Sequence, residues 1–145
     1  MYSFPMAEWL AEARKFLGSW PSSAAGYFQS TWGCSSTFAV KAALLYGILW
    51  LAGLNPRITS GFRDPAKQRA MREAWDRGDR QGLVVRPADP DGSRHCRTSL
   101  LGSPASAAID MPCADNTKAA QLAKLLGLRA GLYFNPPDPG HYDEG

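Results

Sequence analysis

Ala107-Ala108-Ile109-Asp110 is a short apolar run that ends abruptly in a carboxylate. Such a run predicts a buried strand, with the aspartate at its end. The only two histidines of the chain flank this stretch, His95 before it and His141 after it. Two imidazoles and one carboxylate are a common ligand set for a catalytic zinc ion, which keeps a fourth position open. The pattern predicts that His95, Asp110 and His141 bind Zn²⁺.

A second carboxylate lies close to the last histidine, because Asp138 precedes His141 by three residues. A carboxylate beside the open metal position can accept a proton and later deliver it to a leaving amine. The pattern is that of a metal-dependent peptidase with Asp138 as its general base. The surrounding prolines and glycine are also typical of a turn, so a purely structural role for Asp138 stays open. Asp143 and Glu144 are the alternative acids.

Apolar periodicity along the chain predicts helices over residues 6–17, 39–54, 65–77 and 116–126, and strands over 57–60, 83–85, 107–110 and 132–134. Residues 18–37 are rich in Ser, Gly and Ala, which predicts a loop or connector. Helices interleaved with short strands indicate an α+β domain, a small antiparallel sheet flanked by helices. We expect an extra N-terminal amphipathic helix and connector over residues 1–37, followed by the metal-binding domain over 38–145.

The composition is that of an ordinary globular domain, with 45% hydrophobic and 20% charged residues. The net charge of +3 is too mild to predict a nucleic-acid partner. The arginines are nevertheless concentrated between Arg63 and Arg97. This concentration predicts either a solvated helix face and loop or a basic surface that attracts an anionic polymer such as the bacterial cell wall.

Two segments bear on membranes and export. Residues 1–20 include Glu8 and Glu12 and lack a basic start followed by an uninterrupted apolar stretch, so we expect no secretory signal peptide. Residues 39–54 are strongly apolar, but Lys41 interrupts them, and they fall short of the roughly 20 residues that a span requires. We therefore predict a buried core helix and no stable membrane span.

Four motifs together carry a resemblance to a known family. Ile58-Thr59-Ser60-Gly61-Phe62-Arg63, followed by a helix bearing Gln68, resembles a segment of the zinc D-Ala-D-Ala peptidases. Ser93-Arg94-His95 resembles the Ser-x-His metal motif of that family, and residues 107–110 resemble its segment ending in the aspartate ligand. Residues 138–141 resemble the motif with the catalytic acid and the last histidine. The motifs follow the family's order, and the resemblance covers roughly residues 39–145.

The family includes carboxypeptidases, vancomycin-resistance dipeptidases and phage L-alanyl-D-glutamate endopeptidases, and shares its fold with the hedgehog signalling domain. The resemblance implies that fold, a zinc cofactor, and hydrolysis of the peptide stems of bacterial peptidoglycan. It implies a catalytic Asp138, and an Arg63 that fixes a substrate carboxylate or stabilises an oxyanion. Ser60, Gln68 and Ser93 are expected to contact substrate or to support the site.

The Asp-x-x-His form of the last motif is closest to the phage endopeptidase branch. We therefore expect a lysis enzyme or a particle-associated wall hydrolase, present in the cytoplasm of the producing cell or in the phage particle and acting on the periplasmic wall. Residues 1–37 are candidates for contact with a phage structural protein. The alternative from a different class is a catalytically inactive, zinc-stabilised structural or binding module of a phage tail or secretion system.

One departure from the family concerns the fourteen residues between His95 and Asp110, a gap that is usually much shorter. We interpret it as a longer loop between adjacent strands, which is tolerable because doubling a loop costs only about 0.6 kcal/mol. Cys96 and Cys113 lie near its two ends, and Cys34 is the odd cysteine. A Cys96–Cys113 disulfide, free thiols, and cysteine ligation of the metal are all open at this point.

Overall fold

The computed structural model describes residues 5–83 and 85–145. In these ranges the chain forms helices α1 (Met6–Leu17), α2 (Trp20–Ser30), α3 (Ser36–Leu51), α4 (Pro65–Asp76) and α5 (Asn116–Leu125). Strands β1 (Ala108–Asp110), β2 (Arg129–Ala130) and β3 (His141–Asp143) form an antiparallel sheet in the order β1-β3-β2. Helices and a small antiparallel sheet confirm the predicted α+β class.

Helix α3 occupies the centre of the core. Phe38, Leu45, Ile48 and Leu49 on this helix have no solvent-accessible surface, and α1, α2 and α5 all pack against it. The predicted buried core helix is therefore confirmed, and it begins where the Ser35 hydroxyl accepts a hydrogen bond from the Phe38 N–H. Within the described ranges, no helix combines the length and the apolar character needed to cross a bilayer.

The predicted loop over residues 18–37 is wrong for much of its length, because α2 occupies Trp20–Ser30. Pro21 lies at the start of the helix, where its missing N–H has no intrahelical partner to lose. Ala25 and Phe28 are buried, and so give the helix an apolar face against the core. The helix was not predicted because small residues surround Ala25 and Phe28, so no apolar periodicity is visible in the sequence.

Three of the predicted strands need correction. In residues 57–60 only Ser60 pairs, in an isolated bridge with Asp110, and the segment is otherwise irregular. Residues 132–134 overlap a 3₁₀ turn over Gly131–Tyr133. Leu83 and Val85 are not in a strand, and Val84, the centre of that prediction, lies outside the described residues. The central strand β3 was not predicted, because prolines and glycine precede it.

The long loop after His95 is a small hairpin of its own. Thr98 pairs with Pro104 in an antiparallel bridge, and the Ser99 N–H donates to the Ser103 carbonyl at 2.8 Å. Its tip residues Leu100 and Leu101 are fully exposed. The loop starts from a 3₁₀ turn over Arg94–Cys96, not from the strand that we expected to carry His95.

Candidate metal centre

The sheet places two of the three predicted ligands next to each other. Asp110 is the last residue of β1 and His141 the first residue of β3, and the two are directly paired in the antiparallel register. His95 reaches the same point from the Arg94–Cys96 turn. Its carbonyl accepts a hydrogen bond of 2.9 Å from the Arg63 N–H, which fixes the turn against the segment before α4. The structure thus brings His95, Asp110 and His141 together.

Three ligand atoms of this group form a nearly equilateral triangle. His95 Nε2 lies 3.1 Å from Asp110 Oδ1, His141 Nδ1 lies 3.2 Å from the same oxygen, and the two nitrogens are 3.3 Å apart. Both histidines are buried. Among the described residues this is the group of histidine, cysteine and acidic side chains that is arranged to hold a metal ion, and it contains no cysteine.

The outer partners of both imidazoles determine which nitrogen faces the centre of the group. His95 Nδ1 lies 2.7 Å from the Gly61 carbonyl oxygen, which can only accept, so this nitrogen carries the proton. His141 Nε2 lies 2.6 Å from Asp143 Oδ2 and likewise donates. In the neutral tautomers, His95 Nε2 and His141 Nδ1 therefore present lone pairs to the Asp110 oxygen. Three acceptors converge without a donor, which is the arrangement that a metal ion satisfies.

The electrostatics of the metal-free group point the same way. Burial opposes charge on His141, but hydrogen bonds with Asp110 and Asp143 raise its pKa from 6.5 to about 9. Burial also acts to raise the pKa of Asp110, yet the contacts with His141 and His95 hold it well below its ordinary value. Without a metal the group therefore retains a proton, and a divalent cation would replace it.

Asp143 is an anchor for His141, which argues against its use as the alternative base. The side chain is almost wholly buried and accepts hydrogen bonds from Arg129 Nε at 2.7 Å and Arg129 Nη2 at 3.0 Å. Burial acts to raise its pKa, but hydrogen bonds from His141 and Arg129 lower it well below the usual value. Glu144, the other alternative, pairs with Lys41 at 3.1 Å.

Asp138 lies at the edge of the metal-ligand group without belonging to it. Its Oδ2 is 4.0 Å from His141 Nδ1, and its side chain is partly exposed. Burial and the nearby Asp110 charge raise the pKa of Asp138 above its ordinary value. The Asp138 N–H donates to the Gly131 carbonyl at 2.7 Å, and a side chain at Gly131 would collide with the Asp138 carbonyl oxygen. Glycine at 131 thus allows this close approach.

Arg63 is held beside the ligand group by contacts with three side chains, one of which, Asp110, is a proposed ligand. Its Nη1 donates to Gln68 Oε1 at 2.7 Å, its Nη2 donates to Ser60 Oγ at 3.0 Å, and Nη2 lies 3.7 Å from Asp110 Oδ2. Gln68 is buried and donates through Nε2 to the Ala88 carbonyl at 2.9 Å. In this structure, Ser60 and Gln68 orient Arg63. Ser93, also buried, lines the adjoining cleft.

The ligands open into a cleft of about 590 Å³. Its wall includes the proposed ligands, the proposed catalytic pair Arg63 and Asp138, and two of the expected substrate contacts, Gln68 and Ser93. Ser60 is not part of this wall; it reaches the site through Arg63. The sequence-predicted site residues therefore meet at one place in the fold.

The supporting roles of two groups, the Gly61 carbonyl and Asp143, were not predicted from the sequence, although Asp143 was named as an alternative acid. The Gly61 carbonyl has no residue-specific signature, although Gly61 itself is required because a side chain there would collide with Trp32. Asp143 had a detectable signal, since alternate residues of a strand share a face and place His141 and Asp143 together. The three cysteines are free thiols, so the Cys96–Cys113 disulfide considered above is not formed.

Comparison with known proteins adds no family assignment. No protein-family model matches the chain, and no curated protein matches it.

Proposed function

We propose that this protein is a zinc-dependent peptidase that hydrolyses the peptide stems of bacterial peptidoglycan. The observation that carries the proposal is the convergence of three ligand atoms, 3.1–3.3 Å apart, in a cleft that also contains Asp138 and Arg63. A bound zinc ion would supply a Lewis acid and a water of lowered pKa at its open position.

The spacing of the ligand atoms supports zinc in particular. Zinc–nitrogen and zinc–oxygen distances of about 2.0–2.1 Å in a tetrahedron place neighbouring ligand atoms about 3.3 Å apart. The triangle has edges of 3.1, 3.2 and 3.3 Å. Two histidines with one carboxylate are also a ligand set of catalytic zinc sites, where the fourth position stays open.

The protein groups around this position have complementary tasks. Asp138 holds a carboxylate within reach of the open side, where its raised pKa makes it a better proton acceptor than an ordinary aspartate. It would take a proton from the attacking water and return it to the departing amine nitrogen. Arg63, oriented by Gln68 and Ser60, presents a fixed cation to the oxygen on which negative charge develops.

The substrate class follows from the resemblance of the four motifs to the zinc D-Ala-D-Ala peptidases. We propose that the protein is most similar in function to the phage endopeptidase branch, as a lysis or particle-associated enzyme that acts on the periplasmic wall. Three of the clustered arginines, Arg63, Arg86 and Arg94, line the cleft together with Arg129, which suits an anionic polymer. Residues 1–37 are the proposed contact with a phage structural protein.

The test combines metal analysis with wall digestion. Zinc-loaded protein is incubated with purified sacculi, and new amino termini are identified by mass spectrometry. We expect cleavage, and an Asp138→Asn variant that retains zinc but cuts about 10²–10⁴-fold more slowly, as expected for loss of a general base. Asp115→Asn, which removes a helix-capping carboxylate away from the cleft, is the control and should cut at the wild-type rate.

The outcomes separate the two candidate classes. Intact sacculi in the presence of stoichiometric zinc would reject the peptidase and favour the zinc-stabilised structural module. Loss of zinc in Asp138→Asn would make Asp138 a ligand and reject its role as the base.

A further inference from the structure

Arg94 differs from the other arginines that line the cleft. Arg63 donates to Ser60 and Gln68, Arg86 donates to Asp76 at 2.9 and 2.8 Å, and Arg129 donates to Asp143. Arg94 also lines the cleft, but its buried Nε has no hydrogen-bond partner in the described part of the chain. A donor without a hydrogen-bond partner is costly. Nε itself is covered, but the Arg94 side chain is 29% exposed and lines the cleft, so its other guanidinium N–H groups can donate to a ligand there.

The nearest carboxylate has no acceptor position left for Arg94. Arg94 Nε lies 3.8 Å from Asp143 Oδ1, beyond hydrogen-bond distance. Asp143 already accepts from His141 Nε2, from two nitrogens of Arg129 and from the Gly145 N–H. Since a carboxylate offers about four acceptor positions, these four donors saturate it. Arg94 therefore has an ion pair with Asp143 but no hydrogen bond to it, and its guanidinium keeps donors for another acceptor.

The segment that carries Arg94 is held in place next to a metal ligand. The Arg94 carbonyl accepts hydrogen bonds from the Ala107 N–H at 3.0 Å and from Ser106 Oγ at 3.3 Å. The following residue is His95, whose ring is fixed by the Gly61 carbonyl. A guanidinium on such a segment is positioned before a ligand arrives, which reduces the entropy that binding costs.

The charge balance of the cleft favours an anion. Its wall contains four arginines and three aspartates, namely Asp110, Asp138 and Asp143, and Arg86 is neutralised by Asp76 outside the wall, so the side chains of the metal-free cleft nearly balance. A divalent cation at the histidines would add two further positive charges. The planar fork of a guanidinium matches a carboxylate better than any other common substrate group of a peptide.

We propose that Arg94 is a specificity-determining residue that binds a carboxylate group of the peptide substrate beside the metal centre. This inference rests on the proposed function, because it assumes that a peptide occupies the cleft. It assigns to Arg94 the carboxylate-binding role that the family resemblance implies for Arg63, whose guanidinium already contacts Ser60, Gln68 and Asp110.

The test compares two synthetic stem peptides that differ only in their carboxylates, which are free in one peptide and converted to amides in the other. Binding to the zinc-loaded protein is measured at 4 °C by thermophoresis, with zinc content checked for every variant. Where a peptide is cut, the ratio of kcat/KM replaces the ratio of dissociation constants. The variants are Arg94→Gln, Arg94→Lys and, as the matched control, Arg97→Gln on the neighbouring exposed position.

We expect the wild type to prefer the free-carboxylate peptide by roughly tenfold, the value of one charge-assisted hydrogen bond. Arg94→Gln should reduce the preference to less than about threefold while keeping zinc and the affinity for the amide peptide. Arg94→Lys should restore part of it, because the charge returns without the fork. Arg97→Gln should behave as wild type.

Three results would overturn the assignment: no carboxylate preference in the wild type, an undiminished preference in Arg94→Gln, or loss of zinc from that variant. An undiminished preference would assign the carboxylate to the metal itself. Intact sacculi together with an Arg94-dependent preference would contradict the proposed peptidase but not the carboxylate site. Cut sacculi with an Arg94-independent preference would contradict only the site.

Discussion

The two histidines of the metal centre are supported in different ways. His141 starts the central strand β3, which pairs on both sides, and its outer nitrogen donates to the buried Asp143 carboxylate. His95 lies in a single 3₁₀ turn, and its outer nitrogen donates to a backbone carbonyl. One ligand therefore depends on a second side chain, whereas the other depends on the path of the main chain. Side-chain substitutions can reach only the first support directly.

The largest expected effect is the loss of metal binding when either histidine is removed, and it should be similar for the two. His95→Ala and His141→Ala each remove one of three ligands, so both should weaken metal binding by more than the 10–100-fold that loss of an outer partner costs. Elemental analysis after dialysis measures it, with the wild type expected to hold about one metal ion per chain. A fully loaded His95→Ala protein would show that the turn contributes no ligand.

The next largest effect should distinguish the side-chain support of His141 from the backbone support of His95. Asp143→Asn takes the charge from the partner of His141 and leaves Arg129 poorly compensated, so we expect metal affinity to fall about 10–100-fold. Competition with a chromogenic chelator measures the change. Glu144→Gln is the matched control, since its carboxylate contacts Lys41 and not the site. Equal affinities in both variants would show that the Asp143 contact does not tune the ligand.

The stability of the metal-free protein should depend on pH because His141, at the start of β3, carries a proton. In the metal-free protein the pKa of His141 is raised from 6.5 to about 9. Its contribution to stability is therefore complete below pH 6.5 and is lost as the pH rises to about 9. We expect about 1–3 kcal/mol of stability to disappear over this window in metal-free protein.

Metal binding should have the opposite dependence, because it requires the neutral imidazole. The melting temperatures of metal-free and metal-loaded protein should diverge as the pH rises. His141→Gln should remove the decline in the metal-free form. A metal-free melting temperature that rises from pH 6.5 to 9, and does so equally in His141→Gln, would contradict the assigned proton.

The smallest effect concerns the turn that carries His95. Cys96 is the last residue of this turn and is buried. A metal ion that binds His95 should therefore also reduce local opening of the turn. We expect metal to slow alkylation of Cys96 several-fold. Cys34 is the control, because it is buried away from the site and burial raises its pKa to about 12. If metal slows both thiols equally, the protection is global and the turn is no weaker than β3.

Sequence patterns were sufficient where periodicity and ligand chemistry acted together. The helices α1, α3, α4 and α5 and the strand ending at Asp110 were predicted, as was the meeting of His95, Asp110 and His141. Helix α2 was missed because its buried face consists of few large residues among many small ones. Strand β3 was missed because its three residues follow a proline-rich segment and gain their strand structure from two neighbours.

The supports of the site were harder to predict than its ligands. A backbone carbonyl such as that of Gly61 leaves no trace in residue type, since every residue has one. The saturation of Asp143, and with it the missing hydrogen bond of Arg94 Nε, depends on distances between side chains that are remote in sequence. Such features follow from tertiary packing and not from local pattern.

The two ends of the hairpin between His95 and Asp110 are hydrogen-bonded to each other, so the hairpin does not depend on the metal ligands for its own closure. Its base is tied by the hydrogen bonds from the Ala107 N–H to the Arg94 carbonyl and from the Ala105 N–H to the Arg97 carbonyl, while Leu100 and Leu101 extend into solvent. The chain therefore enters and leaves at one fixed place. A fluorescent reporter or affinity tag inserted between Leu101 and Gly102 would therefore lie outside the molecule, and it would give the protein an attachment point without a change in any residue of the site.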